Sequence, residues 1–365
     1  MTQLMLQSFQ LKNFKAVRDS TLIKFTPLTV FIGNNGSGKS SLIEGLETYK
    51  AIVEQGLDAA VNRWRGFEYI RNRAVTPEPK GTNTERPYET NFVEFLLQGR
   101  DASGAFRARM EVNQSPGGNE LFIQKESLTI KGRRSATRDA YGRVRLLQRD
   151  DIGLQREQVQ DGESIVRDAR ILTNAISRWQ FVTLNPAAMG SPKPQRRTGG
   201  AIQLASDGSN IAEYLWDIRD QDQSAFEGIV ETLQYVLPYA RDLQSAVTSE
   251  LERTVYLQLT EGDFKLPGWL LSTGTLRIVA LLALLRHPAP PPLIVIEEIE
   301  NGLDPRTIHL IVEEMRGIIE SGTSQIIVTT HSPYLLDLLT LSDIVVSSQK
   351  AGDGILRPVS RGVVE

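Results

Sequence analysis

A phosphate-binding loop is the feature that most constrains how this chain folds. Residues 33–40 read GNNGSGKS, which fits the pattern GxxxxGKS, and the apolar run at 28–32 in front of them predicts a strand. Glycines let the backbone N–H groups of such a loop point at an anion, and the helix predicted over 40–54 adds its positive end. An ordinary glycine-rich turn is the alternative, but it would not require this strand and helix around it. The sequence therefore predicts an α/β nucleotide-binding core.

The residues of this loop have distinct expected roles. The ammonium of Lys39 should reach the β- and γ-phosphates of a nucleotide, and the hydroxyl of Ser40 should bind Mg²⁺. We therefore expect ATP and Mg²⁺ as cofactors. The predicted ATP-binding set is Asn34, Asn35, Gly36, Ser37, Gly38, Lys39, Ser40 and Ser41.

The composition limits which classes of protein this chain can belong to. The 365 residues are 40% hydrophobic, enough for a large core, and no run of about 18 apolar residues predicts a membrane span. The N-terminus alternates apolar and polar residues, so we expect no signal peptide. Cysteine is absent, which excludes disulfides and thiolate metal sites and favours a cytoplasmic protein. Because the net charge is −3, any DNA contact would need local basic surface.

The pattern after the first helix indicates a long insertion. Strands at 3–11 and 20–32 precede the phosphate loop, and segments rich in strand-forming residues between turns then predict an antiparallel subdomain. The predicted strands of the insertion are 92–97, 106–112, 121–130 and 181–184, its helices are 164–179, 210–219 and 225–236, and residues 185–200 form a mobile loop.

An α/β rhythm returns near residue 271. Helices at 271–286, 305–320 and 333–339 alternate with apolar strands at 293–297 and 325–329, and a last strand is predicted near 343–348. Such alternation indicates a parallel sheet covered on both faces. The predicted fold class is α/β, a P-loop NTPase with a mixed sheet. Residues 1–54 and 271–365 would form its core, and 55–270 would form an inserted antiparallel β and helical subdomain for a partner or DNA.

Two carboxylates end the apolar strand that begins at residue 293. A buried parallel strand presents polar side chains at its carboxyl end, so Glu297 should lie on the Mg²⁺ side and Glu298 should orient or deprotonate the attacking water. Asp is commoner than Glu at the first position, but the longer side chain can still reach a metal-bound water. The alternative is that these acids are simply solvent-exposed charges after a core strand. We interpret Glu300 as a surface acid and not as a third catalyst.

A histidine follows the next apolar strand, in the segment TTHSP at 329–333. An imidazole N–H at His331 could donate to an oxygen of the γ-phosphate, so we predict a catalytic switch role for it beside Glu298. A purely structural histidine is the alternative. We interpret His287 and His309 as structural.

The segment LSTGTLR at 271–277 opens a helix before the acid pair. Ser272 can cap this helix, and the backbone N–H groups there, with Gly274, can form a second anion site. An ordinary helix N-cap is the alternative. Downstream of the acid pair, Asp304 followed by Pro305 predicts another helix start.

The ordered set GNNGSGKS, LSTGTLR, LIVIEEIENGLDP and TTHSP resembles the ABC-type ATPases of the RecF/SMC/OLD group, particularly the short AAA-type ATPases of phage-defence and repair loci. The segments NPAAM at 185–189 and DGSNIA at 207–212 add to the resemblance, which covers about residues 1–54 and 180–348. It implies an ABC-type ATPase head. The glutamine that such proteins place after the first helix is not evident, with Gln98 and Gln124 as candidates.

The resemblance also implies a mode of action. Two heads would enclose two ATP molecules, with Ser272, Thr273, Gly274 and the D-loop acid Asp304 of one subunit acting in trans on the ATP of the other. Hydrolysis would then control DNA binding or an effector such as a nuclease or toxin, in antiviral defence or DNA repair. The alternative is a slowly hydrolysing scaffold that sequesters its partner. We expect no Toprim nuclease, long coiled coil or membrane partner.

Three basic clusters could contact DNA or an acidic partner. The densest lies at 131–149, where a solvated hairpin is an equally good alternative. Its candidate contacts are Lys131, Arg133, Arg134, Arg138, Arg143, Arg145 and Arg149; the other clusters are Arg63, Arg65, Arg71 and Arg73, and Lys193, Arg196 and Arg197.

Overall fold

The computed structural model describes residues 4–73, 92–101, 104–115, 120–131, 133–139, 144–146, 163–196, 200, 202–249, 252–350 and 353–358. The chain divides into two compact units, the first comprising Met1–Trp179 and Leu341–Glu365 and the second Gln180–Thr340. These boundaries differ from those expected at 54/55 and 270/271. The reason is that the N-terminal strand and the predicted insertion share one sheet in the first unit.

Helices and strands are numbered along the described chain. The strands are β1 (Met5–Phe14), β2 (Val17–Asp19), β3 (Ile23–Lys24), β4 (Leu28–Ile32), β5 (Val93–Asp101), β6 (Gly104–Gln114), β7 (Leu121–Ile130), β8 (Arg133–Arg138), β9 (Val144–Leu146), β10 (Gln180–Val182), β11 (Lys193–Pro194), β12 (Ala240–Val247), β13 (Thr254–Glu261), β14 (Phe264–Pro267), β15 (Leu293–Ile296), β16 (Gln325–Thr329), β17 (Ile344–Lys350) and β18 (Asp353–Pro358). The helices are α1 (Lys39–Gln55), α2 (Leu57–Asn62), α3 (Phe67–Ile70), α4 (Arg170–Ser177), α5 (Pro186–Met189), α6 (Ile211–Gln221), α7 (Gln223–Val236), α8 (Thr273–Leu285), α9 (Pro305–Glu320) and α10 (Pro333–Asp337). None of these helices is long and apolar enough to cross a membrane.

An antiparallel sheet forms most of the first unit. Its order is β2-β1-β5-β6-β7-β8-β9, with β3 also paired to β1, which confirms the three antiparallel strands predicted between 92 and 130. Helix α1 packs on this sheet. Its Tyr49 ring lies 5.9 Å from that of Phe95, and Gly45 approaches Leu11 so closely that a Cβ there would overlap the leucine side chain. The phosphate-loop helix is therefore seated on the sheet through aromatic packing and a close backbone approach.

The second sheet of this unit contains the strand that precedes the phosphate loop. Strand β17 runs parallel to β4, with Ile344 opposite Val30, and β18 runs antiparallel to β17. The strand predicted near 343–348 is confirmed as β17, whereas β18 was not predicted. The helix predicted over 164–179 consists of a 3₁₀ turn at Ile165–Asp168 followed by α4.

A parallel sheet and helices α8 and α9 organise the second unit. Strands β10, β15 and β16 are parallel neighbours, with Val182 opposite Ile296 and Ile296 opposite Val328. Helix α8 is buried along most of its length. At its end Arg286 donates to both carboxylate oxygens of Glu314 on α9, at 2.8 and 2.7 Å, which fixes the two helices together.

An antiparallel sheet in the second unit was not predicted. It has the order β11-β13-β12, with β14 also paired to β13, and it includes part of the segment expected to be a mobile loop. That segment also contains α5, which Asn185 caps by accepting the N–H of Ala187 at 3.1 Å. His287 is stacked on Tyr214, with ring centroids 5.1 Å apart, which agrees with a structural role.

A buried carboxylate joins β7 to the 3₁₀ turn in the first unit. Glu126 accepts hydrogen bonds from the hydroxyl of Ser164 and from the N–H of Ile165, the latter at 2.9 Å. The Nε of Arg138 on β8 lies 3.8 Å from the same carboxylate. Burial raises the pKa of Glu126 to about 7 although these groups oppose the shift.

This carboxylate should make stability fall as the pH rises. The pKa of Glu126 is about 7 in the folded chain against an ordinary value of 4.5, so the folded state keeps a proton that the unfolded state releases. The resulting loss begins above the unfolded pKa and reaches about 3 kcal/mol above the folded one. Urea denaturation between pH 5 and pH 8 should therefore show a steeper fall for the wild type than for Glu126→Gln.

A surface variant provides the control for this pH dependence. Glu120→Gln changes an exposed glutamate of the same unit and should keep the wild-type slope. Equal slopes for the wild type and Glu126→Gln would contradict the assigned pKa.

Candidate functional site

The phosphate loop has the backbone form that its glycines require. Gly33, Gly36 and Gly38 have φ values of 150°, 78° and 97°. Residues with a Cβ rarely adopt such positive φ values. Gly38 immediately precedes α1, and no side chain caps this helix start. Its first N–H groups are therefore free of a side-chain acceptor, as an anion site at a helix N-terminus requires.

The residues of the loop divide into exposed and buried ones. Asn34, Asn35, Gly36 and Ser40 are exposed, whereas Ser37, Gly38 and Lys39 are buried. The ammonium of Lys39 donates to the carbonyl oxygens of Gly33, at 2.6 Å, and Asn34, at 3.1 Å. The lysine thus lies within the loop that it is expected to serve.

Two serine hydroxyls in this region have different environments. The Oγ of Ser37 is buried and has no hydrogen-bond partner within the described residues. The Oγ of Ser41, in contrast, accepts the N–H of Ala16 at 3.4 Å. A buried polar atom without a partner is costly, so Ser37 fits a loop built to receive a polar ligand. The donor set of N–H groups, ammonium and exposed Ser40 hydroxyl suits phosphate and Mg²⁺.

Strand β17 supports the phosphate loop from one side. The buried hydroxyl of Ser347 donates to the carbonyl of Ser37 at 2.7 Å. The carbonyl of Ser347 lies so close to Gly33 that a Cβ at position 33 would overlap it. The first glycine of the motif is thus required for packing as well as for backbone freedom, a role that the sequence motif does not reveal.

In the second unit, the acid pair lies where β15 ends. Glu297 donates its N–H to the carbonyl of Val182 at 3.0 Å, and its carboxylate accepts a hydrogen bond from the hydroxyl of Thr183 at 3.4 Å. Glu298 is exposed and has a φ of 48°, a left-handed backbone that is uncommon for a residue with a Cβ. Such backbone strain occurs preferentially at active sites, where neighbouring structure imposes it.

The end of β16 imposes this conformation. The N–H of Glu298 donates to the hydroxyl of the buried Thr329 at 2.9 Å, and the N–H of Ile299 donates to the Thr329 carbonyl at 3.3 Å. One threonine thus accepts two successive N–H groups of the segment after β15. This segment, Glu297–Asn301, is called the acid loop below.

A second link joins the acid loop to the predicted switch histidine. The N–H of His331 donates to Oε1 of Glu300 at 2.6 Å. The structure thus brings Glu298, Glu300 and His331 into one hydrogen-bonded arrangement. Glu300 is half-buried, and its Oε2 atom is fully buried, so its interpretation as a surface acid was wrong.

The signature segment begins α8 as predicted. Ser272 is the N-cap residue, and its Oγ accepts the N–H of Thr275 at 3.0 Å. Ser272 and Thr273 are exposed. A Cβ at Gly274 would lie 2.8 Å from the carbonyl oxygen of Gly302, so this glycine is needed where α8 meets the segment after the acid loop.

Asp304 has a structural task in this chain. Its Oδ1 accepts the N–H groups of Arg306 and Thr307 at 2.9 and 3.1 Å, and its Oδ2 accepts the Thr307 hydroxyl at 2.6 Å. These hydrogen bonds, that of the Thr307 hydroxyl foremost, lower the pKa of Asp304. The carboxylate therefore caps α9, as an aspartate before proline often does.

Arg277 of the signature segment interacts electrostatically with two of the three acids of the acid loop, Glu298 and Glu300. Its guanidinium donates to the carbonyl of Leu184 at 2.9 Å, just before the NPAAM segment. Burial lowers the pKa of Arg277, and the charges of Glu298 and Glu300 oppose that shift. Sequence reasoning missed Glu300, Ser347 and the contact of Arg277, because only the fold brings their partners together.

The densest basic cluster is placed only in part. Lys131 is exposed after β7, Arg133 and Arg134 belong to β8, and Arg145 belongs to β9, whereas Arg143 and Arg149 lie outside the described residues. Arg138 corrects the expectation. Its side chain is buried next to Glu126, so it does not offer its charge to a phosphate backbone.

The two candidate glutamines belong to the antiparallel sheet of the first unit. Gln98 on β5 accepts the hydroxyl of Ser8 at 2.9 Å. Gln124 on β7 is buried and accepts the side-chain amide of Asn113 at 2.9 Å. Both side chains thus have partners within this sheet.

A family model described as "AAA domain, putative AbiEii toxin, Type IV TA system" matches residues 28–337. An ATP/GTP phosphatase of Helicobacter pylori (strain ATCC 700392 / 26695) is 33% identical over 76 residues, which are 21% of this chain and 20% of that protein. The match thus spans about a fifth of this relative's length.

Solved structures of SMC head domains have a similar fold. One is an SmcHead bound to the C-winged helix domain of ScpA, with a TM-score of 0.55 and 15% identity, covering 96% of both chains. Another is an Smc head with an extended coiled coil bound to the C-terminal domain of ScpA from Pyrococcus furiosus; its TM-score is 0.54 at 14% identity, covering 97% of this chain and 96% of that one. The predicted ABC-type P-loop NTPase fold is confirmed.

Proposed function

The chain belongs to this AAA-domain family, and from that premise we propose that it binds and hydrolyses ATP with Mg²⁺. The observation that carries the proposal is the phosphate loop with its uncapped helix start and its buried Lys39. The uncapped N–H groups at the start of α1, together with Lys39 and the exposed Ser40, are suited to bind a triphosphate and its metal ion. An ATP/GTP phosphatase among its relatives supports the same activity.

The roles within this reaction follow from the chemistry of each group. In the first unit, Lys39 would hold the β- and γ-phosphates and Ser40 would bind Mg²⁺. In the second unit, Glu297 is the proposed metal-side carboxylate. The metal would neutralise charge on the phosphate oxygens. Glu298 would accept a proton from the attacking water, because its carboxylate is exposed and accepts a long hydrogen bond, of 3.4 Å, from the side-chain amide of Asn301. His331 would donate to the γ-phosphate.

A change of Glu298 should separate ATP binding from hydrolysis. Glu298→Gln keeps the shape of the side chain but cannot take up a proton, so ATP affinity should persist while turnover falls by about two orders of magnitude or more. Lys39→Ala should instead lose binding, since it removes the ammonium from the loop. Calorimetry with ATP and a phosphate-release assay distinguish the two results. Turnover of Glu298→Gln within a few-fold of the wild type would rule out Glu298 as the base.

The signature segment indicates a second subunit in the proposed function. We infer that Ser272, Thr273 and Gly274, with Asp304, act on ATP bound by the phosphate loop of another copy, so that two copies pair head-to-tail around two nucleotides. The exposure of Ser272 and Thr273 at the start of α8 supports this role, because both can be reached from outside the chain. The oxygens of Asp304 accept capping bonds in the free chain, so its contribution would be through the position of α9.

Mixing two inactive variants tests the pairing. Lys39→Ala disables the phosphate loop, and Ser272→Arg blocks the signature segment. In a head-to-tail heterodimer both lesions fall on one shared site, which leaves the other site intact, so mixing should restore part of the ATPase activity. The readout is phosphate release from each variant alone and from the mixture. If cross-linking detects heterodimers but no ATPase activity returns, then either the signature segment does not act in trans or the two sites do not hydrolyse ATP independently.

The output of the ATPase is proposed to be control of a partner. The family description refers to a type IV toxin–antitoxin system, and two similar SMC heads are bound to ScpA, which supports an effector protein such as a toxin or nuclease. Lys131, which is exposed, is a candidate for contact with an acidic partner or DNA, as are Arg133 and Arg134 of β8 and Arg145 of β9. We place this function in the cytoplasm, in antiviral defence or DNA repair. A scaffold that hydrolyses slowly and sequesters its toxin or nuclease would use the same site.

A further inference from the structure

The proposed roles leave Glu300 without a task, although its surroundings are highly constrained. Glu300 lies two residues after the proposed base, and its Oε1 accepts the backbone N–H of His331 at 2.6 Å. Its Oε2 atom is fully buried and has no hydrogen-bond partner within the described residues. A buried carboxylate oxygen without a partner is costly, which is hard to reconcile with a passive surface acid.

Hydrogen bonds also fix the backbone on either side of His331, through Thr329 before it and Ser332 after it. Ser332 donates its N–H to the Thr330 hydroxyl at 2.9 Å, and its own hydroxyl caps α10 by accepting the N–H of Leu335 at 3.4 Å. The N–H of His331 itself is fixed by Glu300. A carboxylate acceptor makes this hydrogen bond strong. It therefore fixes the backbone position from which the exposed imidazole of His331 extends.

The charge of Glu300 also acts on a cation of the same unit. Glu300 and Glu298 both act on the guanidinium of Arg277, whose pKa burial would otherwise lower further. Glu300 is thus hydrogen-bonded to the segment after β16 and acts electrostatically on Arg277 of the signature helix.

We propose that Glu300 is a positioning residue for His331 in ATP hydrolysis. This inference rests on the proposed function, because it assumes that His331 senses the γ-phosphate. Glu300 does not contact the nucleotide in this role. It holds the backbone of His331 so that the imidazole is presented to the phosphate during hydrolysis, and it should affect the rate of turnover more than the binding of ATP.

Substitutions at Glu300 should change kcat and leave ATP affinity nearly intact. Glu300→Ala removes the acceptor, so kcat should fall by about tenfold to a hundredfold, as expected for a hydrogen bond to a charged group. Glu300→Gln keeps a weaker acceptor and should lower kcat only by a few-fold. The dissociation constant for ATP, measured by calorimetry, should stay within a few-fold of the wild type. Glu313→Ala is the matched control, because this exposed glutamate pairs on the surface with Arg316 at 2.6 Å and should not alter kcat.

A double-mutant cycle with His331 makes the test specific. If Glu300 acts through His331, then Glu300→Ala should cause no further loss of kcat in a His331→Ala background. Should Glu300→Ala fold poorly in thermal unfolding, Glu300→Gln supports the same cycle, since its few-fold effect should also vanish when His331 is removed.

Three results would overturn this inference without affecting the proposed function. The first is a wild-type kcat in folded Glu300→Ala, and the second is an equal effect of Glu300→Ala on kcat with and without His331. The third is a loss of kcat in Glu300→Gln as large as that in Glu298→Gln. The last would identify Glu300 as a proton acceptor. Wild-type kcat in His331→Ala would overturn both the inference and the role proposed for His331, so the two failures are distinguishable.

Discussion

The hydrogen bond from the N–H of Glu298 to the hydroxyl of Thr329 is the contact on which the candidate chemistry of the second unit depends. Parallel pairing of β15 and β16 brings both strands to an end side by side, with Ile296 opposite Val328. The backbone of Glu298 must then turn into the left-handed region, at a φ of 48°, to reach Thr329. That strain, of order 1–3 kcal/mol in general, is maintained because Thr329 and the link from His331 to Glu300 hold both ends of the acid loop.

The phosphate loop of the first unit depends on a neighbouring strand in a comparable way. Ser347 of β17 binds the carbonyl of Ser37 and excludes any side chain at Gly33, so the loop is shaped by a strand far from it in sequence. In both units, therefore, a short loop after a buried strand carries the proposed chemistry, and a parallel neighbour fixes its backbone. Such preorganisation lets charged groups act without first being ordered.

Much of this arrangement could be predicted from the sequence because local patterns determine it. The phosphate loop, the cap at Ser272, α9 after Asp304 and the buried strands β15 and β16 each have a motif or an apolar run that identifies them. Glu300 could not be interpreted correctly, because its hydrogen-bond donor, the N–H of His331, is thirty-one residues away. Arg138 was misjudged for the same reason, since its partner Glu126 is on the adjacent strand. The sheet of β11 to β14 was missed because β11 and β14 have only two and four residues, and the eight-residue strands β12 and β13 are only partly apolar.

Turnover of variants at Thr329 tests most directly whether this strand-end link sets up ATP hydrolysis. Thr329→Ser keeps the hydroxyl that accepts the N–H of Glu298, whereas Thr329→Val keeps the shape and removes the acceptor. With saturating ATP and Mg²⁺ in a single-turnover experiment, we predict near wild-type hydrolysis by the serine variant. The valine variant should lose at least about tenfold in rate with unchanged ATP affinity, as expected for an unsatisfied buried donor. Equal rates for the valine variant and the wild type, or no ATP hydrolysis by the wild type itself, would contradict the account.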